Sequence, residues 1–316
     1  MYTRRLIFFC CFFVFYAEAQ VSEQYIFDNL EQYSPSTFYL ISTYKKSGPS
    51  ISYGGRTVTV GMKHLEFCDL STKERFLSTI STTVHETVHA FDSHLPLMQA
   101  KQLGEDPRIS DDEGFFIDES IKLVYKFPKN KLFSARFLSE TIPVNLRTCR
   151  YNSYIETKHF NQSTQVDGIV GLMEEFNAYY HGAKVIYDFL PLFRETYGDN
   201  FLWHWSSGFT SNADAFYEFD FFIKEYLLYA KKHYPALYLE LKNDANFKTI
   251  YKTIRTKFSL MIAAYEKKYD EFTLTAKKGT GLVFSSEKHS SLIFPILSGQ
   301  IKSNRYEEIN ENFLSH

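Results

Sequence analysis

The stretch Ser71-Thr72-Lys73-Glu74-Arg75-Phe76-Leu77-Ser78-Thr79-Ile80-Ser81-Thr82-Thr83-Val84-His85-Glu86-Thr87-Val88-His89-Ala90-Phe91 decides how the rest of the chain is read. Phe76, Leu77, Ile80, Val84, Val88 and Phe91 recur at three- and four-residue intervals, which puts them on one face of a helix. Ser71 and Glu74 form a capping box at its start, and Pro96 marks its latest end. Ser78 to Thr83 is rich in mediocre helix formers, so burial through a core must hold the segment. On this helix His85 and His89 lie one turn apart on the same face, with roughly 6 Å between them. Two imidazoles so placed can bind one Zn2+, and Glu86, one residue along, reaches the same cleft as a base rather than as a ligand.

Bare HExxH arises by chance in a chain of this length on the order of once in a hundred, so its surroundings matter. Thr82 stands three residues before the first histidine. The flanking Thr83, Thr87, Val88 and Ala90 are uncharged, and Phe91 is apolar two residues after His89. These features resemble the long consensus of the zincin metallopeptidases. A metzincin continuation would need Gly and His where Asp92 and Leu95 stand, so the resemblance runs to the gluzincins, which take a glutamate from a second helix. In Met173-Glu174-Glu175-Phe176-Asn177-Ala178-Tyr179, Glu175-Phe176-Asn177-Ala178 is similar to the Glu-x-x-Ala of gluzincin ligand helices. Glu174 is the alternative ligand; with Glu175 on the metal it is left at the solvent edge or bonded to a ligand histidine. His85-Glu86-Thr87-Val88-His89-Ala90-Phe91-Asp92 is similar to the HExxHAxD helix of the anthrax lethal factor-like gluzincins, in which Asp92 would orient a ligand imidazole. Gly168 occupies the place of that group's tyrosine, seven residues before the ligand glutamate. The transition-state hydrogen-bond donor therefore stays open among Tyr151, Tyr154, Tyr179 and Tyr180.

The resemblance implies a zinc-dependent hydrolase that cuts peptide bonds with Glu86 as general base, one Zn2+ per chain held by His85, His89 and Glu175, and a peptide or protein substrate. The alternatives are a zincin fold kept as a binding module without turnover, and an exported helical protein whose motif is accidental.

Working outward, Arg4 and Arg5, the apolar run Leu6 to Tyr16 and Ala17-Glu18-Ala19 read as a signal peptide over residues 1–19. This predicts a secreted or periplasmic protein, with no membrane association once the segment is removed. Cys10 and Cys11 leave with it, and Cys68 and Cys149 are expected to form a disulfide. Asn161-Gln162-Ser163 is a glycosylation sequon. The 316 residues carry a formal charge of −2, which supplies no basic field for nucleic acid. The stretch Phe216 to Ala230 is broken by Glu218, Asp220, Lys224 and Glu225 and does not read as a membrane span.

The pattern predicts an α+β, mostly helical chain. Residues 20–200 form a zincin-like catalytic region with a small sheet and the active-site helix. Residues 201–316 are mainly helical and belong to the same domain or to its second lobe. Strands are expected at Phe38 to Ser42, Arg56 to His64, Ile117 to Tyr125, Arg150 to Thr157 and Leu282 to Ser285. Ser291 to Leu297 forms a further apolar, β-like run. Asp111-Asp112-Glu113 reads as a loop. The strand at Arg56 to His64 is expected to line the substrate. Helices are expected at Ser22 to Gln32, Asp167 to Leu190, Asp214 to His233, Ala236 to Lys242 and Asn246 to Phe272. His64, His159, His181, His204 and His233 read as ordinary surface or core histidines. Trp203 and Trp205, flanking His204, belong to a pocket or to the core.

Overall fold

Helix periodicity accounts for most of the architecture. The computed structural model describes residues 20–106, 112–126, 131–279 and 293–315. The expected signal segment and the strand expected at Leu282 to Ser285 lie outside these residues. The chain is α+β and mostly helical. It opens with α1 (Glu23–Tyr33), capped by Ser22, whose side chain accepts from Tyr25 N. Helix α2 (Pro35–Ser47) follows where a strand is expected at Phe38 to Ser42. Pro35 presets the first helical turn. Thr37, Leu40, Ile41 and Tyr44 then bury one helical face, so packing overrides the strand propensity of the aromatic and β-branched residues.

Strands β1 (Ser50–Tyr53) and β2 (Arg56–Thr59) form an antiparallel hairpin. Its turn residues Gly54 and Gly55 both take positive φ, as a two-residue hairpin turn requires. The inward alternation of Arg56, Val58, Val60 and Met62 continues past the ladder, but paired strand ends at Thr59, short of the expected His64.

Helix α3 (Lys73–Leu103) carries the histidines. Its cap is Thr72, which accepts from Arg75 N, one residue later than the expected capping box; Ser71 instead bonds Asp69. Pro96 does not end this helix but lies buried inside it, and the helix closes at Gly104 in the left-handed region. A proline inside a helix frees the carbonyl four residues back, here that of Asp92. Strand β3 (Asp112–Phe116) comes so close to this carbonyl that a Cβ on Gly114 would lie 2.4 Å from it. Strand β4 (Lys122–Lys126) pairs antiparallel with β3. Asp112 and Glu113 are therefore strand rather than loop. The strand expected from Ile117 starts only at Lys122, because Asp118 accepts from Ser120 N and Ile121 N and turns the chain.

The strand expected at Arg150 to Thr157 is a π-helical turn, Tyr151–Ile155. Tyr154 O accepts from Thr164 Oγ1 and Gln165 Nε2, which fixes the coil against α4 (Ser163–Val166). The remaining helices are α5 (Ile169–Asp188), α6 (Leu190–Tyr197), α7 (Phe201–Ala213), α8 (Ala215–His233), α9 (Pro235–Asn243), α10 (Ala245–Gly279), α11 (Ile293–Gln300) and α12 (Glu307–Phe313). Of the β-like run expected over Ser291 to Leu297, the part from Ile293 onward is helix α11, and Ser291 and Leu292 lie outside the described residues. The buried apolar residues form one cluster from Val21 to Phe313, with α5 against α3, α7 and α8. No helix among the described residues is long and apolar enough to cross a membrane.

Cys68 and Cys149 are both free thiols, so the expected disulfide is not formed. Cys68 is half-buried beside Thr79 and Thr83, where burial pushes its thiol up to about 11, whereas Cys149 is exposed.

Candidate metal centre

The packing of α3 along α5 brings together three side chains separated by 90 residues of chain. His85 Nε2 lies 3.2 Å from His89 Nε2 and 3.3 Å from Glu175 Oε2, and His89 Nε2 lies 3.6 Å from Glu175 Oε1. A tetrahedral ion with bonds of about 2.0–2.1 Å separates its ligand atoms by roughly 3.3 Å, close to these spacings. Glu175 is buried, and its Oε2 has no aligned hydrogen-bond donor. Such an atom normally finds a partner. Two imidazole nitrogens and a carboxylate oxygen are a borderline-soft donor set suited to zinc. Among the described residues these three are the group of His, Cys, Asp and Glu side chains that could hold a metal.

Electrostatics follow the geometry. Burial alone would lower the His89 pKa, but the Glu175 carboxylate, helped by Glu174 and Glu86, raises it to about 9. Burial alone would raise Glu175, yet His89 and His85 hold it well below the usual carboxylate range. The pair is an ionic contact that an incoming cation can replace by displacing a proton.

The expected residues are distributed as follows. Glu86 is half-buried on the turn between the histidines. Glu174 is not in the triad: it is half-buried, and burial followed by repulsion from the Glu113 charge pushes its carboxyl well above the usual range. Asp92 does not touch a ligand imidazole. Its Oδ1 accepts from Phe116 N at 2.6 Å and its Oδ2 from Asn177 Nδ2 at 3.3 Å. Asn177 Nδ2 and His181 Nε2 both donate to Phe116 O. Asp92 thus ties α3 to β3 and α5, because Phe116 sits at the point where β3 meets both helices.

Tyr179 and Tyr154 stand at the centre. The Tyr179 ring meets His85 edge-on at 4.6 Å, and its hydroxyl lies 3.0 Å from that of Tyr154. The Tyr154 hydroxyl also lies against Glu175. Tyr180 packs instead against Phe258, and Tyr151 is fully buried. No side chain fits at Gly168: φ is +54°, and a Cβ would lie 2.3 Å from Phe133 O and 2.6 Å from the Tyr226 hydroxyl. The tyrosine expected from the resemblance is excluded there by sterics, and the π-helical turn presents Tyr154 instead.

Sequence reading missed Arg150. Its guanidinium lies 4.4 Å over the Tyr179 ring, pairs with the buried Glu218 and donates to Ser211 O. No local pattern signals a partner 68 residues away. His181 is a buried core histidine, His64 pairs with Glu23, His233 stacks on Tyr229, and His159 lines an open cavity beside Tyr154. Trp205 is core, whereas Trp203 and His204 line a pocket.

Comparison of the chain with protein-family models, with curated proteins and with solved structures finds no match.

Proposed function

We propose that this chain is a zinc-dependent peptidase with a zincin-like catalytic region, exported by its first 19 residues and acting on peptide or protein substrates. The observation that supports the reading is the convergence of His85, His89 and Glu175 at ligand spacing beside Glu86. His85 Nε2, His89 Nε2 and a Glu175 oxygen would hold the metal. A zinc ion so bound lowers the pKa of a coordinated water to about 7 and polarises a carbonyl. The Glu86 carboxylate accepts a proton from the attacking water as its oxygen bonds to the scissile carbonyl carbon. It then delivers that proton to the amide nitrogen as the C–N bond breaks. The Tyr154 hydroxyl, braced by Tyr179, donates to the carbonyl oxygen as negative charge builds there.

The test is Glu86→Gln. Metal analysis should find about one zinc per chain in wild type and variant alike. Hydrolysis of denatured casein or a peptide library should fall by roughly 10²–10⁴-fold or more, because the proton acceptor alone is removed. Substantial activity remaining in Glu86→Gln overturns the mechanism.

A further inference from the structure

The ligand-bearing faces of α3 and α5 continue beyond the metal centre. Ser81 and Ser78 stand four and seven residues before His85, so they lie on its face about 6 and 10 Å along α3. Gly182 and Ile186 continue the Glu175 face of α5, Ile186 about 16 Å along. Helices α6 and α7 close this end, and between the four helices lies a pocket of about 260 Å3.

One wall is a ladder of rings. Phe193 and Tyr197 lie 22° from parallel with centroids 5.8 Å apart, and Tyr197 and His204 lie 13° from parallel at 3.7 Å. Trp203 stands edge-on to His204 at 4.7 Å with 59% of its surface exposed. The opposite side is Leu77, Ile186 and the bare backbone of Gly208. The remaining polar groups are serine hydroxyls, two of which donate to local carbonyls: Ser78 to Arg75 O and Ser211 to Gly208 O. Neither a carboxylate nor an ammonium lines the pocket, so beyond the His204 imidazole it offers an entering side chain no charge partner, which suits an uncharged group. The volume is below the roughly 300–1,000 Å3 that encloses a whole drug-sized ligand, so it suits one ring.

We infer that this pocket is a specificity site that takes an aromatic side chain of the peptide substrate, resting on the peptidase reading above. Gly182 packs against Ser81 O and Asn212, so the open route runs over the exposed side of α3 at Ser78 and Thr82. An extended peptide advances about 3.3 Å per residue, so a chain lying there would place a side chain in the pocket roughly two to three residues from the scissile bond. An aromatic ring continues the ladder in stacked or edge-on contact with Trp203 and His204.

Gly208 provides a plug that the fold tolerates. A Cβ there would meet Ile186 at 3.4 and 3.8 Å and Phe193 at 3.9 Å, ordinary contacts, and its backbone is helical. In Gly208→Leu the side chain therefore enters the pocket. Wild-type protein should cleave library peptides with Phe, Tyr or Trp at one fixed position at least about tenfold faster in kcat/KM than the alanine versions, the discrimination expected from burying one such ring. In zinc-loaded Gly208→Leu that ratio should fall to near one, and Trp203→Ala should reduce it. Hydrolysis without aromatic preference, or preference intact in Gly208→Leu, overturns the inference. If wild-type protein hydrolyses nothing, the reaction assignment fails, and saturation-transfer NMR with N-acetyl-phenylalaninamide decides the pocket separately. Binding that is lost in Gly208→Leu sustains it, and no binding to wild type overturns it.

Discussion

The cluster of buried ionisable groups on α8 and the one between α3 and α5 are built from different partners. On α8, Asp220 takes Lys224 at 3.0 Å, Arg255 at 2.9 Å and the Tyr251 hydroxyl at 2.5 Å. Lys224 also donates to Ile301 O. One residue along, Glu225 is held by the fork of Arg305 and by the Tyr306 hydroxyl. The carboxylates here face permanent cations of the protein, Lys224, Arg255 and Arg305, and fasten the C-terminal residues to the core. Between α3 and α5, by contrast, the partners of Glu175 are two imidazoles, which carry charge only when protonated and face the carboxylate at ligand spacing. Imidazoles can give up their protons and act as ligands, which Lys and Arg side chains cannot do at neutral pH, so of the two clusters only the α3–α5 group could hold a metal.

The contrast can be broken in order of effect. Asp220→Ala would leave the fully buried Lys224 unpaired. It should destabilise the fold by about 3–5 kcal/mol in urea titration without altering the zinc stoichiometry of the folded fraction. A loss under about 1 kcal/mol would show that the α8 cluster is not structural. Glu175→Ala should act on the metal. Zinc should bind at least about tenfold more weakly to the folded fraction, on the scale of disturbed ligation. Glu174→Ala should bind zinc nearly normally, because that side chain faces Glu113. Normal zinc in both variants would remove the metal-centre assignment, and the opposite pattern would shift the ligand by one residue.

The smallest effect concerns pH and a third buried group. His181 donates to Phe116 O, and burial, with Lys184 and Lys257 adding repulsion against Asp118, lowers its pKa to about 3. Its unfolded value is about 6.5. Below that pH the unfolded chain binds a proton that the folded chain refuses. The stability from His181 is therefore complete above about 6.5 and declines as pH falls toward 3, by about 1.4 kcal/mol per pH unit. Urea titrations at pH 6.5 and 5.5 should show a correspondingly smaller loss in His181→Gln than in wild type. Equal losses would mean that His181 charges freely in the fold.

Sequence legibility followed interaction range. The i, i+4 histidines, Glu86 and the long helices are local patterns, and Glu175 came from a resemblance that the small Ala178 supports. Strand placement failed where local propensity met tertiary packing, at Phe38 to Ser42 and Arg150 to Thr157. Pro96 misled because its ring ends a helix only when the carbonyl it displaces has nowhere to go. Here Gly114 opens the space beside that of Asp92.

By itself, then, the sequence determined the apolar face of α3, the positions of His85, Glu86 and His89 on it, the helical character of residues 201–279 and the Gly54-Gly55 turn. Each depends on residues within one or two turns of one another. Tertiary structure alone decided that Asp92 serves Phe116 rather than an imidazole, and that Arg150 braces Tyr179 through Glu218. It also decided that Tyr154, not position 168, supplies the hydroxyl beside Glu175. Those choices depend on which buried donors and acceptors meet after α3, β3, α5 and α8 pack, and spacing along the chain does not encode them.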